Sequence, residues 1–383
     1  MKKIKVAYIT REDPKDKNKW SGIPFNIHKC LKKAGFQVIR IGPITHHYEK
    51  ILKIIEKVYK FFKIKYDPQR SIVLSQLLAK KILKEIQNRE IDLILVHDCP
   101  LVSFLNSKIP LIVWTDLTFD LYHKTYFLNF SKFHKNSIKN GNFLENLTLK
   151  KAKLIIYASD YAASSANKKY KISNNLIKVL PFGVDLNPLN KKKFIILKKK
   201  RIVARKKEAI FLSVGVDWNR KNMHKSIEVI EKLNCINIKS KIIIVGSVPP
   251  SGYKIPKYVE IIPFLNKQKK SDKNILHHLY SKSHYFILLS KAEAFGLVIN
   301  EASCYGLPVI TNNIDGLKYV ADKNYSILNN KNLSPSKIAH KISLINNNSN
   351  KYNRYSNNSY LSSLEKHWSN VGIELKKIIY QII

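Results

Sequence analysis

An apolar, β-favouring run, Tyr285 to Leu289 (YFILL), is followed by a stretch of helical length, Leu297 to Tyr305, and by a second apolar run that opens at Leu307. This order of strand, loop, helix and strand constrains the chain more than any other feature, because it predicts a parallel β-α-β unit. Gly306 followed by Pro308 is the expected helix stop: a left-handed glycine, then a residue that cannot continue a helix. Glu293, Ala294, Phe295 and Gly296 then fall in the loop leaving the strand, where the first helical N–H groups have no internal partners. Open parallel sheets bind ligands in such loops, and the free amides with the positive helix end favour phosphate. Gly296 lets the backbone approach a ligand closely. Glu301 stands about a turn into the helix, near enough to reach the same ligand. One carboxylate can therefore accept hydrogen bonds from a ribose while the other faces what hangs beyond the phosphates.

Two glutamates at this spacing arise often by chance, and a plain β-α-β unit with two solvated glutamates would carry them as well. Joined to Phe295-Gly296 after the first and to Ala302-Ser303-Cys304-Tyr305-Gly306-Leu307-Pro308-Val309 after the second, the stretch resembles the Glu-x7-Glu donor motif of the retaining group 1 glycosyltransferases. The resemblance implies the α/β GT-B fold: two doubly wound Rossmann-like domains whose parallel sheets face a cleft, with a C-terminal helix crossing back onto the first domain. It implies a nucleoside diphosphate sugar as donor substrate, with no further cofactor and no metal. Glu293 would contact the donor sugar and steady charge near its anomeric carbon, and Glu301 would hold the ribose. Phe295, Gly296 and Leu297 would offer backbone amides to the donor.

A chain of 383 residues with 45% hydrophobic content is long enough for two domains with two cores. No run approaches the length of a membrane span. The opening MKKIKVAYITRED reads as a first strand and not a signal peptide. Cys30, Cys99, Cys235 and Cys304 lie far apart and form no C-x-x-C pair, which argues against a zinc site and a disulfide framework and fits a reducing cytoplasm. The absence of a D-x-D triplet leaves basic side chains and backbone amides to meet the phosphate charge. The formal net charge of +41 comes from lysine spread along the whole chain, so no specific nucleic-acid partner is expected. The exception is the dense run from Asn190 to Lys207 (NKKKFIILKKKRIVARKK), which reads as a solvated interdomain loop and is a candidate for contact with an anionic membrane or with nucleic acid.

Ile4 to Ile9 is a strand, Thr10 to Ile23 a polar loop, Pro24 to Lys33 a helix closed by Gly35, and Phe36 to Ile41 a second strand. In the resembled family a glycine-containing loop here faces the donor, which makes Ser21 and Gly22 candidates; a plain turn explains the same glycine. Two further strands end at His97-Asp98 and at Thr115-Asp116, the edge where an α/β domain places its polar work. The string Trp114-Thr115-Asp116-Leu117-Thr118-Phe119 is similar to one that lines the acceptor side in bacterial members. Asp116 could accept a proton from an acceptor hydroxyl or orient it, or it could cap the next helix. The strings Ser159-Asp160-Tyr161-Ala162-Ala163 and Pro181-Phe182-Gly183-Val184-Asp185 resemble the end of the family's first domain, which places a boundary near 186.

The second domain restarts with a strand at Ala209 to Val214 and a loop through Asn222. The resembled family places an Arg/Lys pair here, against the donor diphosphate, and Arg220 and Lys221 match it. Fixed cations would stabilise the charge that grows on the diphosphate as the sugar departs. Val216 and Asn222 depart from the commoner pattern of Arg after the first glycine and Gly after the lysine. Asn313-Ile314-Asp315-Gly316 matches a glycine turn, but Lys318-Tyr319 replaces the family's usual Pro-Glu. Asn346 to Ser359, rich in Asn, Ser and Tyr, reads as a loose connection. The expected organisation is an acceptor-side domain over 1–186, a basic linker over 187–207, a donor domain over 208–359 and terminal helices over 360–383. The expected activity is retaining sugar transfer to a glycan or lipid-linked acceptor, in the cytoplasm and peripherally at the inner membrane face. A non-catalytic nucleotide-sugar binder and a polyanion-binding protein are the alternatives.

Overall fold

The computed structural model describes residues 3–126, 132–314, 316–318, 320–330 and 332–382. It divides into two compact units, Met1–Phe182 with Trp368–Ile383, and Gly183–His367.

The first unit contains, in chain order, β1 (Lys5–Ile9), α1 (Ile23–Lys33), β2 (Gln37–Ile41), α2 (Tyr48–Phe61), β3 (Ile64–Lys65), α3 (Ile72–Ile86), β4 (Leu93–Val96), β5 (Leu111–Thr115), α4 (Phe119–Thr125), β6 (Lys132–Phe133), α5 (Lys135–Lys151), β7 (Leu154–Tyr157), α6 (Asp160–Tyr170) and β8 (Ile177–Val179). Its main sheet is parallel in the order β2-β1-β4-β5-β7-β8. The central strands LILV, LIVWT and LIIY are buried throughout. A parallel sheet covered by helices on both faces demands such unbroken apolar runs.

The second unit contains α7 (Lys191–Lys207), β9 (Ala209–Val214), α8 (Trp218–Lys221), α9 (Met223–Cys235), β10 (Ser240–Val245), β11 (Val259–Ile262), α10 (Lys270–Lys282), β12 (Tyr285–Leu288), α11 (Leu297–Ser303), β13 (Val309–Asn312), β14 (Ser326–Asn329), α12 (Pro335–Asn346) and α13 (Ser349–Glu365). Its sheet is also parallel, in the order β11-β10-β9-β12-β13-β14. The last helix, α14 (Trp368–Tyr380), returns to the first unit. There Trp368 lies 6.0 Å from the Trp114 ring and 6.2 Å from that of Phe182, and a Cβ on Gly372 would meet Cys30 Sγ at 3.3 Å.

Two segments differ from the sequence expectation. The basic run is no loop: residues 191–207 are a continuous helix, opened by Asn190, whose side chain accepts from the Lys193 N–H at 2.8 Å. Phe194 is buried and stacks flat on Tyr360 at 4.0 Å, over Gly306. The arginines in the run are buried as well. Arg201 donates to the backbone oxygens of Tyr305, Tyr280 and Ser281 at 2.5–3.0 Å, and Arg205 donates to the Asn346 backbone oxygen. These carbonyls stand at helix ends that lack internal donors, so the two guanidiniums act as C-terminal caps.

The stretch 346–359, whose composition suggested a loose connection, is helical from Ser349 and runs without a break to Glu365. Its polar side chains bond outward to carbonyls of packed segments: Ser356 to Gly306 at 2.7 Å, Ser359 to Leu307 at 2.8 Å and Tyr352 to His284 at 2.9 Å. Composition registers polarity, whereas the packing turns that polarity inward and satisfies it.

Phe194→Ala is expected to destabilise the second unit by about 3–5 kcal/mol, as large-to-small changes at buried aromatics do. The exposed neighbour Lys192→Ala should stay within about 0.5 kcal/mol. Denaturant midpoints of the two variants make the comparison, and equal effects would mean that the helix is a solvated connector.

Candidate functional site

The site in the second unit is built where β9 and β12 end. Asp217 accepts from the Arg220 N–H at 2.9 Å and starts the short helix α8. Asn222 ends it in the left-handed conformation, at φ 56°. That backbone favours glycine, and asparagine is among the side chains that tolerate it best, so Asn222 can occupy the position. The Asn222 amide also donates to the Leu289 oxygen at 3.2 Å and so ties the first loop to the end of β12. Asn312 grips the same carbonyl at 2.9 Å and that of Ser290 at 3.0 Å.

The stem of Lys221 lies across Gly215, where a Cβ would stand 2.8 Å from Lys221 Cε. Lys221 Nζ donates to Glu293 Oε2. Arg220 Nη1 reaches the same oxygen at 3.4 Å and the Ala292 carbonyl at 3.2 Å, while the Lys291 N–H donates to the Arg220 oxygen at 2.8 Å. Arg220, Lys221 and Glu293 therefore form one largely buried charge cluster. Burial lowers the Lys221 pKa from the usual lysine range, and the Glu293 carboxylate works against that fall.

Phe295 and Gly296 lead directly into α11, with Gly296 at φ 81° and Leu297 as the first helical residue. Glu301 is buried on that helix, bonded to Lys267 Nζ and to the Tyr280 hydroxyl at 3.0 Å. The two glutamates of the motif are thus held by different partners. Burial and the neighbouring Glu301 raise the Tyr280 phenol well above its ordinary range, so it remains a proton donor to that carboxylate.

Sequence reasoning missed two contributors. Gly316 backs the glutamate loop so closely that a Cβ there would lie 1.9 Å from the Glu293 oxygen and 2.5 Å from that of Ala294. The glycine turn was visible, but this contact belongs to the fold; Asp315 and Tyr319 lie outside the described residues. Lys267 pairs with Glu301, and one lysine in so lysine-rich a chain gives no signal.

Ser21, Gly22 and Asp116 belong to the first unit. Trp20, Ser21 and Gly22 are all left-handed, at φ 42°, 54° and 80°, before α1. Trp20 stacks on His97 at 4.9 Å, and His97 Nε2 lies 3.6 Å from Glu12 Oε2. Asp98 is a buried counter-ion, bonded by Arg11 Nε at 2.9 Å and 3.9 Å from Arg70 Nη1. Burial works to raise its pKa, but the two guanidiniums outweigh burial and hold it below the usual carboxylate range.

Asp116 is half-buried at the end of β5. The cap of α4 is Thr118, whose hydroxyl accepts from the Leu121 N–H at 3.3 Å. Glu145 on α5 accepts from the Phe119 N–H at 3.1 Å and so helps fix the Asp116 to Phe119 segment. Burial pushes its carboxyl up to about 7. Among the described residues no group of three His, Cys, Asp or Glu side chains is placed to hold a metal ion.

Two family models match the chain: residues 195–362 match "Glycosyl transferases group 1" and residues 25–188 match "Glycosyltransferase Family 4". No curated protein sequence matches it significantly. Among solved structures, the chain is similar to a sucrose-phosphate synthase from Thermosynechococcus elongatus (TM-score 0.69, 14% identity, 99% of each chain covered). It is similar to a glycosyltransferase from Rickettsia africae (0.67, 17%, covering 100% of this chain and 99% of the other). HepE of Anabaena, solved in complex with UDP-glucose, has a TM-score of 0.64 at 15% identity, covering 99% of this chain and 100% of the other. At these identities the likeness establishes the fold.

Gly316→Ala is expected to cost more than Gly252→Ala, measured as denaturant midpoints. Both substitutions add a Cβ methyl, but at Gly252, with φ 77°, nothing lies within 4 Å of the Cβ position, whereas at Gly316 it meets two backbone carbonyl oxygens. The first should lose about 2–4 kcal/mol and the second about 1 kcal/mol. For Glu145, the folded pKa of about 7 lies above the ordinary 4.5, so the native state binds the proton more tightly than the unfolded chain. Stability of the first unit should therefore fall as pH rises from about 4.5 to about 7. Glu145→Gln should flatten that slope in thermal unfolding followed across this pH range.

Proposed function

The chain belongs to the group 1 glycosyltransferases and has the GT-B fold, and on that premise we propose that it transfers a sugar from a nucleoside diphosphate donor to a hydroxyl acceptor with retention of anomeric configuration. The observation that carries the reading is the Arg220, Lys221 and Glu293 cluster, in which two cations from the segment after β9 meet one carboxylate from the loop between β12 and α11. Arg220 and Lys221 are assigned to the donor diphosphate, with the amides of Phe295, Gly296 and Leu297, and no metal takes part. Glu301, already fixed by Lys267 and Tyr280, retains lone pairs for the ribose hydroxyls.

In the reaction the bond between the anomeric carbon and the diphosphate oxygen breaks, and its electron pair leaves on the diphosphate. The acceptor hydroxyl oxygen bonds to the same carbon from the same face, and its proton passes to the departing diphosphate. Arg220 and Lys221 offset the charge that develops there. Glu293 lies next to the anomeric carbon and stabilises its positive charge. Asp116 and the Ser21-Gly22 loop, in the first unit, are assigned to orienting the acceptor hydroxyl and to the donor respectively. The acceptor is a glycan or a lipid-linked glycan of the cell envelope.

One consequence is specific to this cluster. Glu293 holds both cations in the free protein, so it competes with the incoming diphosphate for them. Lys221→Ala should weaken nucleoside diphosphate binding by at least about tenfold. Glu293→Gln should tighten it several-fold while lowering kcat by about 10²–10³. Isothermal titration against uridine, guanosine and adenosine diphosphates reads the binding, with the uridine form first because HepE carries it. If no nucleotide binds, or if both variants weaken binding alike, the assignment of the cluster is wrong.

A further inference from the structure

The large apolar side chains exposed on the first unit are concentrated on one helix. Ile51, Ile54, Val58 and Phe61 of α2, with Phe62 immediately after it, are each 53% to 82% exposed. At helical spacing these five fall within about 100° of the helix circumference, a continuous stripe. Lys50, Lys53, Lys57 and Lys60 form an exposed band along one side of the stripe. The remaining face, with Tyr48, Leu52 and Ile55, packs into the core and fixes the helix in place. Both acids of the helix are already occupied: Glu49 by Arg11 at 3.4 Å, and Glu56 by Lys65 at 2.7 Å. The lysine band therefore faces outward with no carboxylate of its own helix to neutralise it.

We propose that α2 docks the first unit onto an anionic lipid bilayer, lying in the headgroup plane with Ile51, Ile54, Val58, Phe61 and Phe62 in the acyl boundary and the lysines against lipid phosphates. The division of the helix into an apolar stripe and a cationic band is what an interfacial helix requires. A nucleic acid would match the lysines but offers no apolar medium to the stripe. No helix among the described residues is long and apolar enough to cross a membrane, so the contact is one of surface binding. The basic helix α7 is less suited to this role. Its most exposed apolar side chains, Ile196 and Val203, stand singly among Lys192, Lys199, Lys200 and Lys207.

Within the first unit, α2 starts at the sheet edge where Arg11 joins Glu49 to Asp98, one residue from His97. An acceptor carried on a lipid would therefore be presented close to that edge. The docking itself does not depend on the sugar-transfer reading, because the test involves no turnover.

The experiment is flotation of the full chain with phosphatidylcholine vesicles, with and without phosphatidylglycerol. Net charge alone would draw this protein to anionic vesicles, so the deciding variant leaves charge unchanged. Ile54→Ser/Phe61→Ser/Phe62→Ser should lose at least about tenfold in binding at physiological salt, while the wild type should retain binding at high salt, where charge is screened. Lys50→Ser/Lys57→Ser should lose several-fold. Because every altered side chain is exposed, thermal midpoints should match the wild type. The proposal is overturned if the serine triple binds as the wild type does, which would indicate general charge attraction. It is equally overturned if the wild type does not float, or if Lys192→Ser/Lys199→Ser in α7 loses more than the α2 variants. Failure to float alongside tight capture by an acidic polypeptide would reassign the stripe to a protein partner.

Discussion

The buried contact between Lys221 and Glu293 joins the loops that follow β9 and β12, and the rest of the second unit's site is arranged to permit it. A lysine can reach that carboxylate only if its stem crosses a residue with no side chain, hence Gly215. The carboxylate stands where it does because its backbone rests against Gly316, and because Asn222 and Asn312 hold the end of β12. Burying an ammonium and a carboxylate costs several kcal/mol per ion unless geometry and further hydrogen bonds return it. Here Arg220 supplies the second bond to the carboxylate and is itself anchored on the Ala292 carbonyl. The arrangement is a poor choice for stability alone, since a buried pair of charges can often be replaced by apolar side chains without loss. On the proposed function, its value is that it keeps two cations desolvated and in position for the donor diphosphate.

The same economy governs α7. Lysine is the common cation of this chain, yet the two cations buried in that helix are arginines. A planar guanidinium can serve several carbonyls at once, which an ammonium at the end of a flexible stem does less well. Arg201 reaches the ends of α10 and α11, and Arg205 that of α12. A helix that composition marks as a solvated run thus ties together the C-termini of its neighbours. Burial lowers the Arg201 pKa to about 10, still far enough above neutral pH to keep the charge the caps need.

Much of this was legible from the sequence where a local rule suffices. The apolar runs at 93–96, 111–115, 154–157, 209–214 and 285–288 announce buried parallel strands, because a sheet covered on both faces leaves no position for alternation. Glu293, Arg220 and Lys221 stood out by motif, and the fold brings those three into contact. Asp98, at a strand end, is held by two arginines from distant segments, a pairing that local sequence does not show. The runs 190–207 and 346–359 read as loops yet fold as helices for a common reason: polarity counted along the chain cannot show which polar groups will find partners.

The sequence by itself determined the fold class and the strand-loop-helix unit at 285–311, because both rest on periodicity within a few positions, and by its resemblance it singled out Arg220, Lys221 and Glu293. Only the tertiary structure decided which charges pair, which glycines are obligatory and which apolar residues stay outside. Gly316 matters through a carbonyl more than twenty residues away in sequence, and the stripe on α2 is exposed although its residues look like core. The physical reason is that burial and electrostatic partnership are properties of packed surfaces, fixed only when distant segments are brought together.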